Sequence, residues 1–252
     1  MTKTTSFKYL LTSACLLWQL TAHAQNLKVA IAANLQPVIK VLQQDFGKQT
    51  GIGIDAISGP SGNLSTQISN GAPFDLFLSA DTKFPAELYK KGFALKEPVV
   101  YAEGALIICS SQNINLANWA KLLPGATIKK IAIGNPAIAP YGKAAQETLM
   151  QAGIYDTIKD KIVYGESISQ VNTYVTTGVV PVAFTTLSLI KDPANKTPLF
   201  YRVIDPKTYS PIQQGMVLLK HAQGNTKAEK FYRYLLSPAA KKIFIRFGYH
   251  VK

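Results

Sequence analysis

Few side chains in this sequence are equipped for chemistry, and the most informative group is the turn Gly59-Pro60-Ser61-Gly62-Asn63. A serine in such a turn approaches the GxSxG nucleophile elbow, but Asn63 stands where the last glycine is required. A serine hydroxyl is also a weak nucleophile without a base. Beyond residue 24 the histidines are His221, beside Lys220 ahead of Gln223-Gly224, and His250, in the final three residues, so neither is poised to serve. A serine hydrolase is therefore the remote alternative. The other chemistry open to the turn is anion binding. Leu64 and Ile68 follow it four apart, which predicts a helix starting at or near Ser61. A helix start presents unpaired N–H groups and the positive end of the dipole, a seat for a negative charge. A plain turn with a helix cap is the competing reading of the same residues.

The elements that must hold such a seat can be read from apolar spacing. Residues 27–32 form a buried strand, and Leu35, Val38, Ile39, Leu42 and Phe46 then recur at helical spacing, with Asn34 the N-cap candidate and Pro37 suited to the first turn. A strand at 52–57, the helix from Ser61, its breaker Asn70-Gly71-Ala72-Pro73 and a buried strand at 74–78 complete a β-α-β-α-β block. Both helices start after strand ends, where open α/β sheets place their ligands. The pattern recurs later. A strand at 130–133 turns through Gly134-Asn135-Pro136 into a helix opened by Pro140, and one at 161–164 leads to a helix capped by Ser167. Residues 179–184 are a further buried strand. Extended segments at 99–102 and 105–109 carry the first crossing between two lobes; 205–211 is the return linker and 215–219 a strand of the first lobe. Two amphipathic helices at 227–236 and 239–247 follow, their Tyr and Phe stripe reading as core.

Composition narrows the function classes. Lys3 and Lys8, an apolar run over 10–20 and Ala22-His23-Ala24 form a secretory signal, which places the mature start near Gln25. The run is too short to span a bilayer and no later one is long enough. The 228 residues that remain carry 25 basic and 14 acidic side chains, a net charge of +11 that favours anionic partners. The basic pairs Lys90-Lys91, Lys129-Lys130 and Lys241-Lys242 are dispersed and form no stripe interleaved with aromatics, which argues against nucleic acid. Cys15 falls in the signal, so Cys109 alone survives, in an apolar run: a small core residue with no disulfide framework. No Cys/His or HExxH pattern would hold a metal cation.

The order GxSGxLxxQIxxGAPxDLFxSAD over 59–81 resembles the signature of periplasmic molybdate-binding proteins, the solute receptors of molybdate ABC importers. GxPxxxPxGxxAxxxL over 134–149 and KFYRYLLSPAAKKIFIRFGY over 230–249 resemble further segments of the same family. The resemblance implies an α/β, two-lobed periplasmic binding protein, each lobe a mixed sheet flanked by helices, joined by two crossing hinge segments. Lobe I is then 25–103 with 210–252, and lobe II is 104–209. It also implies the ligands: Ser61 as an oxyanion ligand, Asn34 as a side-chain donor where many members have Ser, Tyr141 through its backbone N–H, a backbone donor at Ile168, and Thr186 where the family carries a Tyr whose hydroxyl reaches the anion. Asn34 remains readable as a plain cap, and Tyr141 as a packing aromatic.

Helix starts at Asn34, Ser61, Tyr141 and Ser167, two per lobe, suggest convergence on a tetrahedral dianion held by uncharged donors, with no catalysis and no cofactor. Arg202, Arg233 and Arg246 lie outside these starts, which disfavours an organic carboxylate. A protonated phosphate needs an acceptor, and Glu166 is the nearest in sequence. The sequence reading is a monomeric periplasmic receptor that captures molybdate or tungstate and passes it to a permease and ATPase. Sulfate or another small anion in the same fold is the alternative.

Overall fold

The computed structural model describes residues 26–251; the export signal expected at 1–24, with Cys15, lies outside them. Among the described residues there are ten strands: β1 (Leu27–Ala32), β2 (Ile54–Gly59), β3 (Leu76–Leu78), β4 (Val99–Gly104), β5 (Leu106–Ser110), β6 (Ile131–Gly134), β7 (Ile162–Gly165), β8 (Val182–Thr186), β9 (Phe200–Val203) and β10 (Ile212–Leu218). They form two five-stranded sheets, in the orders β2-β1-β3-β10-β4 and β7-β6-β8-β5-β9. The two repeat one plan. Across each order the first two pairings are parallel and the last two antiparallel. The backbone crosses between sheets twice, from Gly104 to Leu106 and from Val203 to Ile212.

Helices cover the sheets: α1 (Gln36–Thr50), α2 (Ser61–Ser69), α3 (Lys83–Lys90), α4 (Trp119–Leu122), α5 (Pro140–Gln151), α6 (Tyr155–Ile158), α7 (Ile168–Thr176), α8 (Leu187–Lys191), α9 (Thr226–Leu235) and α10 (Pro238–Arg246). The unbroken apolar run of β1 follows from burial of both faces. Val29 and Ile31 pack with Leu42, Phe46 and Phe231 on one side, and Ala30 packs with Leu64, Ile68 and Phe77 on the other. The C-terminal aromatics are core as expected, Phe231, Phe244 and Phe247 being buried. A further core around Ile107, Ile133, Leu149 and Phe184 fills the second lobe and reaches Ala32, Ala33 and Ala80 of the first.

Two local differences from the sequence reading bear on the site. A 3-10 turn over Ala33–Leu35 precedes α1, which starts at Gln36, so Asn34 caps no helix with its side chain. The strand β9, for which the sequence reading assigned no element, is exposed at every residue. As a sheet edge it shows no alternation of apolar and polar positions, so the period-two signal was missing.

Candidate functional site

The parallel strands deliver four chain turns to one place between the lobes. β1 ends in Ala32, Ala33 and Asn34, and β2 in Gly59 and Pro60 ahead of Ser61. β6 leads to Ala139, Pro140 and Tyr141, and β7 leads to Ile168. Residues from all four turns line a single small cavity, with Ala80 after β3. Even with its open mouth counted, the cavity holds about 210 Å³ of empty space, below the roughly 300 to 1,000 Å³ of drug-sized ligand pockets. An ion of a few atoms suits it better than an organic molecule. None of its lining residues is acidic, basic or histidine. A cavity of about 680 Å³ on the same measure lies behind β4, but it mixes Glu103, Lys241 and His250 and receives no helix start.

Unpaired donors gather around the small cavity. In α5, Pro140 has no N–H and Gly142 donates its own to the Ala139 carbonyl at 2.8 Å. The Tyr141 N–H is left without a partner among the described residues, as helix geometry requires of a first turn. In α7, the Ser167 hydroxyl caps the Gln170 N–H at 3.2 Å and leaves that of Ile168, the first helical residue. In α2, the Ser61 hydroxyl is 1% exposed and accepts the Ala80 N–H at 3.1 Å. Its oxygen is thereby oriented and its proton is left to donate.

Asn34 behaves differently from a simple donor. Its Nδ2 donates to Gln214 Oε1 at 2.8 Å and to Tyr249 Oη at 2.9 Å. Gln214 Nε2 donates to the carbonyls of Ala80 and Ile212, which fixes Oε1 as an acceptor and so fixes the Asn34 amide. Both amide protons are thus engaged, and Asn34 Oδ1 is buried with no partner. What Asn34 has left to offer an anion is its backbone N–H. Thr186 is buried outside the cavity lining. It caps α8 by accepting the Ser188 N–H at 3.2 Å, and it lies 3.1 Å from Ser188 Oγ. Ser188 Oγ donates to the Asn34 carbonyl at 3.0 Å, so the Thr186 proton goes to Ser188. Glu166 is exposed and lines no part of the cavity.

The Tyr141 hydroxyl lies beside Gly104 at the hinge, where a Cβ would collide with it, and it has no hydrogen-bond partner among the described residues. Burial, with Tyr249 adding to it, pushes the Tyr141 phenol well above its ordinary value while nearby Thr186 works the other way; burial also takes Tyr249 up to about 12. Both are neutral at physiological pH. Charges begin one step outward. Past Ala80 and Pro140 a neighbouring cavity is lined by Asp81, Lys83, Lys143 and Glu147, where burial raises the Asp81 carboxyl. Nucleophilic chemistry finds little support, since burial takes the Cys109 thiol to about 12 and the side-chain partner of His221 is Asp75 at 3.3 Å, not Ser61. No cluster of three or more His, Cys, Asp or Glu that could hold a metal is present among the described residues.

Over residues 27–250 the sequence matches the family described as bacterial extracellular solute-binding proteins. The chain belongs to that family. It is 33% identical over 229 residues to the molybdate-binding protein ModA of Azotobacter vinelandii, covering 90% of this chain and 91% of that one. It is 34% identical over 231 residues to the ModA of Rhodobacter capsulatus, covering 91% and 90%. A solved periplasmic molybdate-binding protein of Azotobacter vinelandii superposes with a TM-score of 0.85 at 35% identity, covering 90% of this chain and all of that one. As a solute-binding protein the chain has the two-lobed architecture with its candidate site in the interlobe cleft. Sequence reasoning missed Ala80, Gln214, Ser188 and Tyr249, which set the donors. Asn34 is separated from Gln214 by 180 residues and from Tyr249 by 215, and no local pattern links them.

Proposed function

We propose that this solute-binding protein captures molybdate, and also tungstate, in the interlobe cleft after export, and delivers it to the permease and ATPase of an ABC importer. It acts as a periplasmic monomer without catalysis. The observation that carries the reading is the arrival of four chain turns, two from each lobe, at one small cavity without charged side chains. A tetrahedral dianion has only acceptors to offer. The Ser61 hydroxyl and the N–H groups of Ser61, Asn34, Tyr141 and Ile168 are matching donors, each assisted by the dipole of its turn. The molybdate assignment is supported by relatives named as molybdate-binding at a third identity over nine-tenths of the chain.

Titration calorimetry of residues 25–252 with molybdate, tungstate, sulfate and phosphate tests it. Tight binding of the first two with weak binding of the others is expected, and sulfate binding as tightly as molybdate would overturn the assignment. One observation favours a second reading. Asn34, which lines the cavity, has a buried side-chain oxygen without a partner, and a monoprotonated phosphate carries a proton that such an acceptor could take; tight phosphate binding would select that reading.

A further inference from the structure

The glycine of the central turn has a role beyond shaping a loop. Gly62 is the second residue of α2 in the first lobe, and its N–H donates across the cleft to the carbonyl of Ile138 in the second lobe at 3.0 Å. Ile138 directly precedes Ala139 and Pro140, which wall the cavity. Ser188 of the second lobe returns the contact by donating to the Asn34 carbonyl of the first at 3.0 Å. Each lobe gives one donor and accepts one. A carbonyl oxygen turned towards an oxyanion would repel it, so tying these two to protein donors also keeps their negative ends off the ligand.

At residue 62 the lobes meet backbone to backbone. A Cβ there would lie 3.0 Å from Ile138 Cα and Cγ2 and 3.1 Å from its Cβ. Rotating the Ile138 side chain relieves only Cγ2; the Cα and Cβ contacts need the two facing backbones to separate by a few tenths of an ångström. The helix itself gives no reason for glycine. Its φ at 62 is not in the left-handed region, and alanine is the better helix former.

We propose that Gly62 is a positioning residue that lets the lobes latch shut over the bound anion, its missing side chain setting how closely they approach. This rests on the receptor function proposed above. The latch belongs to the closed state alone, so a wedge at 62 opposes closure while leaving the separate lobes intact.

The test compares wild type, Gly62→Ala and Gly62→Ala/Ile138→Gly by calorimetry with molybdate, thermal unfolding without ligand, and small-angle scattering at saturating molybdate. For Gly62→Ala the affinity is expected to fall at least tenfold and the saturated protein to remain more expanded, while the ligand-free unfolding midpoint stays equal to or above wild type because alanine favours α2. The double variant, which removes the Cβ and Cγ2 contacts, should recover at least threefold of the lost affinity. Gly62→Ala binding within twofold of wild type would overturn the latch, and so would a loss of affinity matched by a lower ligand-free midpoint. Wild type that binds none of molybdate, tungstate, sulfate and phosphate would overturn the receptor function and the latch together; wild type that binds a different one of these leaves the latch to be tested with that anion.

Discussion

Replacing Ser61 by alanine separates a ligand donor from a purely structural acceptor, since its side chain caps no helix. The Ser61 hydroxyl does two things: it accepts the Ala80 N–H at 3.1 Å, and it has one proton to spare at a cavity wall where it is 1% exposed. A hydrogen bond to a charged partner contributes about 1.5 to 3 kcal/mol, so losing that proton should weaken molybdate binding by roughly 10- to 150-fold. The Ala80 N–H, itself buried, loses its acceptor in ligand-free and bound protein alike. That loss largely cancels from the affinity but appears in stability, at about 1 to 3 kcal/mol, or on the order of 2 to 10 °C in the unfolding midpoint. Calorimetry and thermal unfolding of the ligand-free variant read the two effects separately. An unchanged dissociation constant with a lowered midpoint would refute the reasoning, because Ser61 would then serve Ala80 alone.

Thr186→Val should lower the unfolding midpoint, since it removes the cap on the Ser188 N–H, yet leave molybdate affinity within about threefold; calorimetry showing a tenfold loss would return Thr186 to the ligand set. Asp81→Asn should raise stability at pH 7. Burial lifts the Asp81 carboxyl above its ordinary value against the opposing Ser79, Phe84 N–H and Lys83, so its charge is a cost in the folded state, and the gain should fade as pH falls through the carboxylate range in pH-dependent denaturation. Tyr101, Tyr141 and Tyr249 are held protonated by burial, Tyr249 up to about 12. A raised phenol stabilises the fold below its ordinary value near 10 and loses that contribution as pH climbs towards the folded value. Their ultraviolet ionisation should therefore lag behind the exposed tyrosines and coincide with loss of circular dichroism; ionisation of every tyrosine near pH 10 with the fold intact would contradict this.

What the sequence determined by itself is local. The apolar run of β1, the helical spacing after Ser61, Pro140 at the start of α5 and Ser167 capping α7 are written within a few residues of where they act, because capping, period and turn chemistry are short-range. That is enough to set out the helix starts, and the two-lobed plan followed from a resemblance extending along most of the chain. Only the tertiary structure decided what each start has left to give. Asn34 loses its amide protons to Gln214 and Tyr249, and Thr186 gives its hydroxyl to Ser188. Gly62 meets Ile138 across the cleft. Hydrogen-bonding capacity is a sum over all neighbours in space, and for Asn34 and Gly62 those neighbours come from the far end of the chain or from the other lobe, where no sequence period reaches.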